Sequence, residues 1–152
     1  MARPPSHRMV NVGDTAPDFE APSGKGGTVR LSAFRGKERV VLYFFPKAFT
    51  PGCDREAREF QKAHAALAAR GISVVGVSAD PPETQGKYCQ ELHLDFPVLS
   101  DPDGRVARAY GVWKESGTAR RVSFGIDRDG RVVHVVDDSK PEPHVEKAKS
   151  WN

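Results

Sequence analysis

The 152-residue sequence has only two cysteines, Cys53 and Cys89. Two are too few to staple a small secreted scaffold, and too few for a four-cysteine zinc site. They stand 36 positions apart, so a Cys-x-x-Cys dithiol is also missing. Long apolar runs are lacking: the longest, Val40 to Phe45, has six residues, against roughly 20 for a helix that crosses a bilayer. No single sign of charge dominates. Lys and Arg number 23, Asp and Glu number 20, and the two signs are interspersed, with a formal charge of +3. Without a basic block, neither a nucleic-acid nor a membrane partner is indicated. Internal repeats and low-complexity tracts are absent as well. Met1 to Asn11 carries Arg3, Pro4, Pro5, His7 and Arg8, but not the apolar stretch of about 7 to 15 residues at the core of a secretory signal. We read residues 1–9 as a disordered tail and 10–152 as one domain.

What is present suits a globular core: 38% of residues are hydrophobic and 28% charged. Val40 to Phe45 is β-branched and aromatic without interruption, which predicts a strand buried on both faces. Ile72 to Val77 reads similarly. Between them, Cys53, Ala57, Phe60, His64 and Leu67 recur at helical spacing, and Gly71 stands where a helix ends. Strand, helix, strand at this spacing predicts a parallel βαβ unit. Ser23 to Gly27 lacks the ending of a phosphate-binding loop and reads as a hairpin loop before a short strand, Thr28 to Leu31. Asp80-Pro81 opens a helix to about Leu92, and Phe96 to Leu99 is a short strand. Asp101-Pro102 opens a helix carrying Val106, Ala109 and Tyr110 and stopped by Gly111. Val122 to Ile126 and Arg131 to Val136 flank Asp127-Arg128-Asp129-Gly130, a hairpin turn without the later acidic ligands of a calcium loop. Val145, Ala148 and Trp151 predict a last short helix. The sum is an α/β domain: a mixed sheet with helices on both faces.

The chemistry concentrates in Pro46-Lys47-Ala48-Phe49-Thr50-Pro51-Gly52-Cys53. Thr50 has the character of a helix N-cap, and Pro51 suits the first helical position. Cys53 then falls in the first turn. There, free N–H groups and the positive end of the helix dipole favour a thiolate, the nucleophilic form of a thiol whose ordinary pKa is about 8.5. The competing reading of Cys53 is a small buried hydrophobe. Asp54 beside it opposes the anion and Arg55 could offset that. Cys89 lies inside the next helix and reads first as buried filler; against that, Gly86 three residues earlier costs about 1 kcal/mol relative to alanine and should let the helix open easily. Cys89 and His93 could share a metal, but no further ligands cluster with them.

Val12 to Phe19, Val41 to Lys47 running into Thr50-Pro51-Gly52-Cys53, Gly76 to Asp80, Phe96 to Asp101, Ala109 to Val112 and Arg121 to Phe124 form a series of segments in order. Together they resemble the peroxiredoxins, specifically the bacterioferritin-comigratory-protein or PrxQ branch. The resemblance implies a thioredoxin-like fold and reduction of hydrogen peroxide and organic hydroperoxides, with no metal or organic cofactor. It implies that Cys53 is the peroxidatic cysteine and that Thr50 hydrogen-bonds the thiolate and the peroxide. It further implies that Pro46 shields the pocket, that Arg121 stabilises the thiolate and polarises the O–O bond, and that Glu56 orients the arginine. Arg120 competes with Arg121, and the Arg-x-Ser-Phe spacing favours the latter. Many members place a second cysteine five residues after the first; here that position is Arg58. Others place the resolving cysteine in the following helix, which Cys89 matches, so the resemblance implies a Cys53–Cys89 disulfide. It also implies a cytoplasmic monomer recycled by thioredoxin or a similar dithiol protein.

Three classes of function compete: a thiol peroxidase, a redox-sensing thioredoxin-fold module that reacts once, and a thiol–disulfide oxidoreductase. The missing Cys-x-x-Cys disfavours the last. Within the first, a one-cysteine enzyme that does not use Cys89 is the alternative mechanism.

Overall fold

In the computed structural model, which describes residues 8–152, the apolar run becomes the central strand of a five-stranded sheet, β3 (Arg39–Phe44). A hairpin of β1 (Glu20–Pro22) and β2 (Thr28–Arg30) precedes it, with Ser23 to Gly27 as its loop. After β3 come α1 (Pro51–Ala69), β4 (Ile72–Ser78), α2 (Pro82–Glu91), β5 (Val98–Ser100) and α3 (Arg105–Tyr110). The chain ends in β6 (Val122–Ile126), β7 (Val132–Asp137) and α4 (Glu142–Lys149). Sheet order is β5-β4-β3-β6-β7. The β3–β4 and β4–β5 pairs are parallel, and the β3–β6 and β6–β7 pairs antiparallel. No helix among the described residues is long and apolar enough to cross a membrane.

Side chains of a strand alternate between faces, and β3 buries both sets. Val40, Leu42 and Phe44 join one apolar cluster with Phe19, Tyr110 and Phe124. Val41, Tyr43 and Phe45 join another with Phe60, Leu67, Tyr88 and Val145. Helix α1 lies over the second face through Cys53, Ala57, Phe60 and Leu67, the stripe read from the sequence. Gly71 ends it at φ +74°, a conformation that favours glycine.

Some boundaries differ for local reasons. The last parallel strand starts at Val98 rather than Phe96, because Pro97 has no N–H to give to the ladder. Helix α3 starts at Arg105, not at Pro102. Gly104 precedes it at φ +74°. Asp101 reaches over to accept the free N–H groups of Val106 (3.0 Å) and Ala107 (2.9 Å). Ala107 rather than Ala109 faces the core there. Residues 1–7 of the expected tail lie outside the described residues. Arg8 and Met9, assigned to the same tail, rest on the domain: Arg8 pairs with Asp14 at 3.3 Å and Met9 packs on the first cluster.

On the outer hairpin, His134 of β7 sits over Gly125 of β6, where a Cβ would stand 2.1 Å from Nε2. Trp151 closes the ring edge-on at 4.8 Å. Neither ring nitrogen has a hydrogen-bond partner. Burial, with Lys147 adding to it, pushes the His134 pKa down to about 4. In the unfolded chain the ring takes a proton near pH 6.5 that the folded form refuses. Its contribution is intact above that value and is lost as pH falls from 6.5 towards 4. We expect this group to remove about 2 kcal/mol of unfolding free energy across that window. Urea unfolding of His134→Leu should show a flatter pH profile over the same window. Parallel profiles for the two proteins would remove His134 as the cause.

Candidate active site

The segment after β3 turns sharply into α1. Phe49 takes φ +64°, rare for an aromatic residue, and its ring stands edge-on to Tyr88 of α2 at 5.0 Å. Strain of this kind clusters at functional sites. Thr50 is at the N-cap position with extended backbone, and Pro51 follows at the first helical position. The expected side-chain cap does not form. The Thr50 hydroxyl donates to the Lys47 carbonyl at 2.7 Å, and no hydrogen bond joins it to Cys53. The hydroxyl oxygen that a cap would use as its acceptor receives no helix N–H.

Cys53 is 2% exposed, set between Ala57 of α1 and the second apolar cluster. Its sulfur is nonetheless not sealed among hydrocarbon. Arg121, one residue before β6, donates from Nη2 to Sγ at 3.3 Å and from Nη1 to the Glu56 carboxylate at 2.5 Å. Its Nε donates to the Ser139 carbonyl at 2.8 Å, so every nitrogen of the fork is held. Gly52 permits this close approach, since a Cβ there would meet Nη2 at 3.3 Å. Arg120, the competitor, turns to the surface and pairs with Asp137. Arg55 pairs with Glu142 at 2.8 Å instead of Asp54. Asp54 has one buried oxygen without a partner, facing the Tyr88 hydroxyl, whose pKa is raised by burial and then by Asp54.

Glu56 is fully buried. Burial pushes its carboxyl up to about 8, and the charge of Arg121 and its hydrogen bond pull the other way. Burial also opposes the Arg121 cation, but Glu56 and Cys53 outweigh it and the pKa lies above the ordinary value. Arg121 is thus the fixed charge of the site, and Glu56 the member whose proton is labile. The guanidinium is held against the sulfur by these contacts. Pro46 and Arg121 form one wall of an open cleft of about 310 Å³, completed by Lys114, Arg120, Asp137 and Ser139. Cys53 does not itself line this cleft; Arg121 does, and it also touches the sulfur.

A profile of the AhpC/TSA family matches residues 12–135. The chain belongs to the AhpC/TSA family. Peroxiredoxin Bcp of Escherichia coli K12 is 38% identical over 149 residues, covering 93% of this chain and 95% of its own. The crystal structure of peroxidoxin BcpB from Mycobacterium tuberculosis superposes with a TM-score of 0.86 at 38% identity, over 91% of this chain and 94% of that one. Bacterioferritin comigratory protein of Xanthomonas campestris, whose structures address alkyl peroxide reduction, gives 0.81 at 25% identity over 91% and 92%. The expected thioredoxin-like fold and peroxiredoxin class hold, and the chain is an oxidoreductase of the thiol peroxidase kind.

The peroxiredoxin's second cysteine, Cys89 of α2, is 5% exposed, and both cysteines are free thiols within one apolar cluster. Burial pushes the Cys89 pKa up. A shallow hollow of about 470 Å³ opens beside it, lined by Gly24, Lys25, Gly86 and Gln90. Sequence reasoning missed a polar chain between the two cysteine-bearing segments. The Ala48 N–H donates to Asp80 Oδ2 (2.8 Å), which also accepts from Ser78 Oγ (2.5 Å). Gln85, fully buried in α2, donates to the same Ser78 oxygen at 2.8 Å and to the Leu99 carbonyl at 2.7 Å. No periodicity marks such contacts; a polar Ser-Ala-Asp at the end of a buried strand was the only signal.

Proposed function

We propose that this peroxiredoxin reduces hydrogen peroxide and organic hydroperoxides at Cys53. The Arg121 guanidinium, 3.3 Å from Sγ and braced by Glu56 and Ser139, is the observation that carries the reading. The Cys53 thiolate attacks the terminal oxygen of the hydroperoxide in line with the O–O bond. An S–O bond forms, the O–O bond breaks, and the other oxygen leaves as alkoxide or hydroxide and takes up a proton. Cys53 ends as sulfenic acid, the first oxidation state on the cysteine ladder. Arg121 meets the charge that builds on the leaving oxygen, and its donors are positioned before the reaction begins. The Thr50 hydroxyl has its proton committed to Lys47. It is left as an acceptor, suited to the O–H of a hydroperoxide. Pro46, in the wall of the same cleft, takes the shielding role that the family resemblance gives it.

Cys89 is the resolving thiol in this reading. Its thiolate attacks the Cys53 sulfenic sulfur, an S–S bond forms, and hydroxide leaves as water after protonation. The Cα atoms of a disulfide lie about 4.4 to 6.8 Å apart, so the first turns of α1 and the end of α2 unwind to reach it. Gly86 lowers the cost for α2 by about 1 kcal/mol relative to alanine. A dithiol protein of the thioredoxin type then exchanges with the disulfide and restores both thiols. Two unpaired cysteines suit the cytoplasm. Among the described residues the exposed large hydrophobics are Val12, Phe49 and Val133, few for a subunit interface, which suits a monomer.

Peroxide consumption coupled to thioredoxin, its reductase and a nicotinamide cofactor tests the reading by repeated turnover. A redox sensor would react once and stop. Cys89→Ser should still form sulfenic acid in one turnover, but lose at least about 10-fold in thioredoxin-supported turnover. Peptide mapping of the peroxide-treated wild type should show the Cys53–Cys89 link. Full turnover by Cys89→Ser would make the protein a one-cysteine enzyme.

A further inference from the structure

His144, on the first turn of α4, is 1% exposed and plays no part in the chemistry described so far. Its Nε2 lies 2.8 Å from the Asp138 carbonyl, which can only accept, so Nε2 carries the proton. In the neutral ring Nδ1 is then an acceptor, and buried Ser123 Oγ donates to it at 2.8 Å. Ser123 is two residues after Arg121 and so shares its side of the strand. The next carbonyl along the loop, that of Ser139, accepts from Arg121 Nε at 2.8 Å. The result is a closed ring: Arg121, Ser123, His144, Asp138, Ser139 and back to Arg121.

We propose that His144 is a positioning residue for Arg121: by tying the Asp138–Ser139 loop to Ser123, it fixes the carbonyl that aims the guanidinium at the Cys53 sulfur. Side chains from β6 and its start meet one from α4 here, and the loop contributes two backbone carbonyls. The loop is exposed at Ser139, and these bonds join its two carbonyls to buried groups. The charged neighbours of His144 are Arg121, Asp138 and Asp137. Burial keeps its pKa below the ordinary value, consistent with the neutral ring that this pattern needs. The inference rests on the reading of Arg121 as the group that stabilises the sulfur anion.

The test uses the full chain, with Cys89→Ser throughout so that a single thiol titrates. Two quantities are measured: the rate constant for Cys53 oxidation by hydrogen peroxide, and the pH midpoint of its thiolate ultraviolet absorbance. His144→Leu removes both hydrogen bonds. We expect a rate loss of roughly 10- to 100-fold, the scale of a displaced positioning group, together with a higher midpoint. His144→Gln keeps a donor near the place of Nε2 and should recover most of both. An unchanged rate and midpoint in folded His144→Leu would overturn the proposal. So would a rate loss with an unmoved midpoint, or a glutamine variant no better than leucine. If His144→Leu does not fold, Ser123→Ala decides, with a several-fold loss and a raised midpoint expected and parental behaviour overturning the proposal. Arg121→Met separates the two failures. If it reacts at the parental rate, the reading of Arg121 is wrong; if it is slow while the His144 and Ser123 variants are not, only the ring is.

Discussion

Cys53→Ser should remove peroxide turnover to background, a loss of at least about 10³-fold, as when a catalytic nucleophile is deleted. Serine nearly matches cysteine in shape, so the 2%-exposed site keeps its packing. What goes is the anion. An alcohol beside Arg121 stays protonated at neutral pH and has no low-lying route to an S–O bond. The measurement is steady-state peroxide consumption with the thioredoxin system, alongside thermal unfolding to show that the variant is folded. Persistent turnover in a folded Cys53→Ser protein would move the chemistry elsewhere and end the reading of this site.

Arg121→Met is the second large effect. Removing one fixed donor at a developing charge costs about 10²- to 10³-fold in rate, and the same change strands Glu56. That carboxyl is fully buried and already pushed up to about 8, so without its cation it holds its proton at neutral pH. The cost to folding is then the lost hydrogen bonds together with the proton that Glu56 must take up on folding at neutral pH, a cost that glutamine does not carry. The double variant Arg121→Met/Glu56→Gln separates the two consequences. Stability should recover relative to Arg121→Met, while the rate constant for Cys53 oxidation should not. Recovery of both would mean that the arginine serves the fold and not the reaction.

The parts of this molecule that could be read from sequence are those in which neighbours along the chain share one environment. Val40 to Phe45 announces itself as a doubly buried strand because every side chain is apolar. The stripe from Cys53 to Leu67 announces α1 because its spacing matches the helix. The Cys53 site was legible through local features, a proline and a threonine just ahead of a cysteine at a helix start, with the family resemblance supplying Arg121 and Glu56. What escaped depends on residues far apart. Glu56 lies three positions after Cys53 and so on the same helix face, yet a carboxylate is ordinarily taken to face solvent; only the arginine 65 positions away keeps it inside. The Ser123–His144 bond spans 21 positions and leaves no periodic mark. Thr50 misled in the opposite way: its residue type suits a cap, but its hydroxyl turns back to donate to the Lys47 carbonyl and its oxygen accepts no helix N–H.

The hydrogen bonds at Asp80 bear on both cysteine-bearing segments. A single carboxylate oxygen holds both the Ala48 amide ahead of α1 and the Ser78 hydroxyl that anchors Gln85 in α2. In the proposed reaction, in which Cys89 resolves Cys53, the two segments that must open share this one anchor, so a substitution at Asp80 loosens both at once.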